Sequence, residues 1–221
     1  MNLQEKLSQS FKGLASRLNG SESKSLRELR SRSFDYFKVQ GFPTNQDEEW
    51  KYTSLNKIVK RDFDFSSQVS SETLAEDIEP FLCERLDSYK LIFINGVFNK
   101  SLSILGSNEK FFVGSLKQGM KEMPDIINAH YGKLADTKQS LVALNTAMAN
   151  EGAFVYVKKG VKLNKLVQIL FVNTNHEESR MMQTRNLFVV EDFAEAQIFE
   201  RHQAFNQGHV FSNSVTESSV G

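Results

Sequence analysis

Apolar residues recur at helical spacing near the start of the chain and at strand spacing toward its end. Leu3, Leu7, Phe11, Leu14 and Leu18 are separated by four, four, three and four positions, which lines one face of a helix over residues 1–18. Asn19-Gly20 stops it. Ser25 and Glu28 form a capping-box pattern for a second helix. Its stripe is Leu26, Leu29, Phe34 and Phe37, and Gly41-Phe42-Pro43 ends it. Both helices are polar on the other face, so their stripes must dock. The simplest arrangement packs them on each other, apart from the rest of the chain.

Residues 44–66 hold an acidic-aromatic segment, Asp47-Glu48-Glu49-Trp50-Lys51-Tyr52-Thr53, followed by Phe63 and Phe65 among polar neighbours. A third helix is expected from Ser70-Ser71-Glu72 to about Leu86. The character changes near Tyr89. Lys90 to Asn95 reads as an apolar strand, Asn95-Gly96 as a tight turn, and Val97-Phe98 with Leu102–Leu105 as the return. A helical insert is expected over 115–135, entered at Ser115 and interrupted by Pro124. Residues 140–149 place Leu141, Leu144, Asn145 and Met148 on one helical face. From Ala153 the chain reads as strands: Phe154–Val157, Val167–Val172, Thr184–Val190, Ala196–His202 and Val210–Glu217. Turns at Gly160, Asn173–Asn175, Asp192 and Gly208 separate them. This spacing suits a solenoid with irregular corners, and periodicity alone leaves a sandwich or jelly roll open. The last residues still read as strand, so the chain is expected to be a fragment with an open sheet edge. Weak end-to-end self-association through Val210, Phe211, Val215 and Val220 is expected there.

Composition narrows the function classes. The 221 residues carry 27 Lys plus Arg and 27 Asp plus Glu, which gives no electrostatic case for nucleic acid or an anionic membrane. A single cysteine, Cys83, makes no internal disulfide and holds no cluster unaided; it reads as a small core hydrophobe. The N-terminus has no basic region followed by an apolar one, and the apolar stretch Leu166–Val172 is far below the ~20 residues that span a bilayer. A cytoplasmic protein is expected.

Catalytic motifs are sparse. Gly114 to Lys121 misses the phosphate-binding loop because Met120 separates Gly119 from Lys121. Among His130, His176, His202 and His209, no pair has the helical spacing of a zinc site. Glu200 and His202 are two apart on an expected strand and share a face. A metal or proton-relay pair is one reading, and a polar sheet face is the plainer one. Asp47, Glu48 and Glu49 read more simply as charges favouring the positive end of a short helix than as acid–base machinery.

Four segments carry a resemblance. They are Glu48-Glu49-Trp50-Lys51-Tyr52-Thr53-Ser54-Leu55, after Gly41-Phe42-Pro43-Thr44; Leu91-Ile92-Phe93-Ile94-Asn95-Gly96-Val97-Phe98; Ala143-Leu144-Asn145-Thr146-Ala147 with Gly152–Val157; and Arg185-Asn186 through Glu200-Arg201-His202 to Phe211–Glu217. In order and spacing the chain resembles the SufB/SufD family of iron–sulfur cluster assembly proteins, with the first segment nearer the SufD branch. The resemblance implies a mainly β fold with N-terminal α: a helical domain over residues 1–85, then a right-handed parallel β-helix over residues 86–221 with a helical insert near 115–150, cut short at its C-terminal end. It implies a scaffold subunit of a SufBCD complex rather than an enzyme, linked to iron acquisition, with SufB-like and SufC-like partners, the latter an ATPase. No nucleic acid or membrane partner is implied. It implies no cofactor on this chain, the iron–sulfur cluster being the product of the whole complex. No catalytic, cofactor-binding or metal residue carries over, since the family's interface and ligand segments would lie beyond Gly221. A β-solenoid carbohydrate-active enzyme and an adhesion module remain the alternatives.

Overall fold

A computed structural model of the chain describes residues 3–18, 22–65, 75–83, 85–174, 179–205 and 209–221. Helices α1 (Leu3–Leu18) and α2 (Lys24–Gln40) come first, then the short α3 (Asn56–Val59), strand β1 (Phe63–Asp64) and α4 (Ala75–Ile78). Strands β2 (Ser88–Ile94), β3 (Val97–Phe98), β4 (Gly106–Ser107) and β5 (Phe111–Ser115) lead into α5 (Leu116–Glu122), α6 (Pro124–His130) and α7 (Ser140–Met148). The rest is β6 (Ala153–Val157), β7 (Leu166–Asn173), β8 (Ser179–Val190), β9 (Ile198–Ala204) and β10 (Val210–Val220). N-terminal helices followed by mixed sheets is thus the architecture.

The strands form two sheets. One runs β1-β8-β6-β5-β4 with β10 also on β8; the other runs β3-β2-β7-β9. From β6 to β10 the chain alternates between them, and each strand lies parallel to the one two steps earlier. Phe154 pairs with Leu187 and Val157 with Val190, an offset of 33 residues. The offset is 31 from Val167↔Ile198 to Asn173↔Ala204, and 30 from Val210↔Arg180 to Val220↔Val190. The antiparallel pairs β2–β3, β4–β5 and β5–β6 make the sheets mixed.

The inner strands β2, β6 and β7 are covered on both faces, which is why they read as continuous apolar runs, whereas β9 and β10 alternate with exposed residues. Val155, Val157, Val167, Ile169 and Phe171 fill the space between the sheets with Leu91 and Phe93. Phe154 and Tyr156, on the outer face of β6, pack with Leu116 of α5 and Ile127 of α6. Ile92, Ile94, Leu170 and Val172 face Ile78 of α4. Gly119 lies so close to Phe154 that a Cβ would come within 2.3 Å of the ring, so this glycine serves helix–sheet packing and not phosphate binding.

The N-terminal helices keep their periodic stripes, with Leu3, Leu7 and Leu14 of α1 and Leu26, Phe34 and Phe37 of α2 buried. They do stack on each other, with Phe11 and Phe34 ring centroids 4.2 Å apart. They do not pack apart from the β-rich body. Leu3, Leu7, Phe34 and Phe37 share one core with Ala143, Leu144 and Met148 of α7 and Met181 of β8. Phe211, expected at an open end, borders this same core and lies 6.5 Å from Phe42.

Other expectations need local correction. The α2 cap is Ser23 and not Ser25: Ser23 is extended, and its hydroxyl accepts from the Leu26 N–H. Gly41, at φ +71°, ends the helix as expected. The helical insert splits at Met123 because Pro124 starts α6. Leu102–Leu105 does not form a return strand; only Ile104 bridges back, to Lys90. The start of the expected third helix, residues 70–72, lies outside the described residues, as do Gly208 and His176. Among the described residues no helix is long and apolar enough to cross a membrane.

Candidate functional site

Helix α7 is expected to bury one face, yet Ala143 through Met148 are all buried. Polar groups buried inside a helix must find partners, and those of α7 find them in β8 and β10. Gly152, at φ +155°, lets the chain leave α7 and enter β6 against β8; a Cβ there would sit 1.8 Å from the Arg185 carbonyl oxygen. The Asn145 amide donates to the carbonyls of Thr184 (2.7 Å) and Asn213 (2.8 Å), clamping β8 and β10 to the helix. Its oxygen accepts from Arg185 Nη1, as does the Thr146 hydroxyl.

Arg185 and Glu217 form the centre of this cluster. Their side chains are 0% exposed, and Nη2 stands 2.7 Å from Oε2. Nε donates to the same oxygen, and the Tyr131 ring lies against the guanidinium, 4.8 Å from centroid to carbon. Glu217 also accepts the backbone N–H groups of Gly132, Leu134 and Ala135. Burial alone would raise its carboxyl, but the Arg185 charge and these N–H bonds outweigh burial and hold it below the usual carboxylate value.

A second polar group lies between the sheets. The Asn186 amide oxygen accepts from Ala153 N–H, and its nitrogen donates to Glu200 (3.1 Å) and to the Thr216 hydroxyl (3.2 Å). Glu200 in turn stands 2.7 Å from His202 Nε2, and the His202 ring stacks on Phe171 at 4.7 Å. The sequence thus placed Glu200 and His202 on one face correctly, and the structure joins them into a pair linked to Asn186. The pair can orient a polar group. It gathers no third ligand: no group of three His, Cys, Asp or Glu that could hold a metal occurs among the described residues.

The remaining candidates lie elsewhere. His130 ends α6, and His209 precedes β10. Cys83 is half-buried, its N–H donating to the Gln168 side chain. Asp47 precedes the 3-10 turn Glu48–Trp50, but its carboxylate turns back to the Thr44 N–H. Asn145, Arg185 and Glu217 fall within the family-like segments, but their pairing was not legible in the sequence. For Asn145 and Arg185 the available signal was an amide or charged side chain beside an apolar run, whereas Glu217 stands among Thr and Ser and carries no such signal.

A model of the SufBD protein N-terminal region matches residues 1–169. An iron–sulfur cluster assembly SufBD family protein of Synechocystis sp. is 27% identical over 213 residues, covering 92% of this chain and 47% of the relative. The iron–sulfur cluster assembly protein SufD of Escherichia coli is 25% identical over 182 residues, covering 79% of this chain and 38% of the relative. The chain therefore spans less than half the length of either curated relative. With the family model covering most of its residues, the chain belongs to the SufBD family of iron–sulfur cluster assembly proteins.

Proposed function

We propose that the protein is a SufD-like scaffold subunit of a cytoplasmic iron–sulfur cluster assembly complex, with a SufB-like partner and a SufC-like ATPase. On this reading it is not an enzyme, and the cluster is cargo of the complex, to which this chain supplies no resident site. We read β6 to β10 as the opening coils of a right-handed parallel β-helix. The observation that carries the reading is the alternation of these strands between two sheets in near-constant parallel register, in a chain of this family. Such a stack is stiff and presents long edges and side faces to other subunits.

The test is capture of the affinity-tagged protein from its native host, followed by mass spectrometry. SufB-like and SufC-like subunits are the expected companions, and recovery of neither would overturn the reading. A companion expectation concerns the cargo. Anaerobic reconstitution of the isolated chain should leave no visible absorption after desalting, because one cysteine and dispersed histidines do not supply four ligands.

A further inference from the structure

Three of the four segments that carry the family resemblance have an evident place in the interior: a buried strand, a buried helix and a buried ion pair. The acidic-aromatic segment reaches the interior only at its last residue, Leu55. The turn Glu48–Trp50 contains no buried residue, and Tyr52 is 92% exposed. What it lines is a groove between the C-terminal end of α2 and the loop 136–140, with Tyr36, Asp47, Glu48, Glu49, Trp50 and Asp136 on its walls.

We propose that this groove docks an arginine-bearing segment of another protein. Three independent features select a cation. The carboxylates of Glu48 and Glu49 make no ion pair or hydrogen bond among the described residues. Asp47 and Asp136, whose carboxylates accept the backbone N–H groups of Thr44 and Lys138, add charge to the same groove, where Lys138 is the one lining cation although the chain as a whole is neutral. The carbonyl end of α2, a helix of 17 residues, opens on the same groove and adds partial negative charge. The half-buried Trp50 offers an aromatic face. The neighbouring Lys51 already uses such a face, its Nζ lying 5.6 Å from the Tyr52 centroid.

A planar guanidinium fits this combination better than a compact ammonium, because it stacks on a ring and bonds carboxylates in the same plane. The walls are fixed in advance. The Tyr36 hydroxyl donates to the Lys138 carbonyl at 2.6 Å, and the Ser140 hydroxyl donates to the Gly41 carbonyl. Little ordering cost therefore falls on binding. The inference does not depend on the SufD-like reading, since it rests on the groove alone.

Trp50 is the only tryptophan, so its emission reports on this groove and nowhere else. The protein is titrated with the blocked peptide Gly-Arg-Arg-Gly-Arg and with versions carrying lysine or glutamine in place of arginine. A saturable change in Trp50 emission is expected with the arginine peptide, a weaker response with lysine, and none with glutamine. Glu48→Gln/Glu49→Gln should weaken arginine-peptide binding about tenfold by removing two charge-assisted contacts. Glu76→Gln/Glu109→Gln makes the same charge change at other exposed positions and should cost less than about twofold. Thermal melts should be unchanged in both variants. No saturable change up to about 1 mM peptide, a threshold near the weakest specific affinities, would overturn the proposal. So would equal losses in the two double variants, or lysine or glutamine peptides binding as tightly as arginine.

Discussion

Two buried arginines grip helix α7, and they do so differently. Arg185 spends its donors on side chains: Glu217, Asn145 and Thr146. Arg30, 3% exposed, turns Nη1 to the carbonyls of Thr146, Ala147 and Ala149 and pairs with Glu22 through Nε and Nη2. Arg30 therefore caps the negative end of α7 with a residue from α2, fastening the N-terminal helices to the body. Arg185 joins neighbouring strands to each other and to the loop that Glu217 holds. Thr146 serves both, its carbonyl on one side and its hydroxyl on the other. The contrast teaches that one buried helix can be the shared wall of two separate polar joints, one between layers and one within the stack.

Breaking the inner joint should have the largest effect. Arg185→Met leaves Glu217 as an uncompensated buried charge and should cost about 3–5 kcal/mol in urea unfolding at neutral pH. Arg185→Met/Glu217→Met should recover more than half of that loss, because the pair offsets its own desolvation more than it adds. A double variant as unstable as the single would show that the N–H bonds to Glu217 matter more than its charge partner.

Arg30→Met should cost less, about 2–3 kcal/mol from lost charge-assisted hydrogen bonds. Its signature should be local. Amide hydrogen exchange should rise in α1 and α2 while β6 to β8 stay protected. Equal exchange in both regions would erase the contrast.

Acid should act on the inner joint first. Because the folded Glu217 carboxyl sits below its ordinary value of 4.5, its contribution is fully present above that value and is lost as pH falls through the depressed folded pKa. The Arg185→Met/Glu217→Met variant should show a flatter stability curve below about pH 4.5 than the parent.

The smallest effect concerns Glu151, at the exit of α7. Burial raises its carboxyl, with Lys117 opposing, and one of its oxygens is buried without a partner. The sign is the reverse of Glu217. The raised folded pKa is a penalty present at neutral pH and relieved as pH falls toward 4.5. Glu151→Gln should raise Tm by about 2 °C at neutral pH, and by less in acid. A lowered Tm would mean that its charge with Lys117 outweighs burial.

Periodicity made much of this fold legible. The α1 stripe and the runs from Phe154 to Val190 could be placed because each buries apolar side chains at one dominant spacing. The joints could not. Arg185 and Glu217 are 32 residues apart, and only the parallel register brings them together. Local pattern carries no register for strands that pair across a corner. The misplaced cap has a smaller cause: Ser23 and Ser25 are both competent hydroxyls two residues apart, and backbone direction decides between them. Asn145 looked like one member of an amphipathic face, and a helix enclosed on every side has none.

The shrinking offset between stacked strands has a consequence for how such a gene can change length. Lys162 still faces Glu195 at 33 residues, whereas Val167 faces Ile198 at 31, so two residues have been absorbed at the intervening bend without disturbing either ladder. A change of two codons is thus accommodated at the bends at 164–165 and 196–197. A single-codon deletion within Leu187–Val190 is a different event, since it would turn the rest of that strand inside out, sending core side chains to the wrong face.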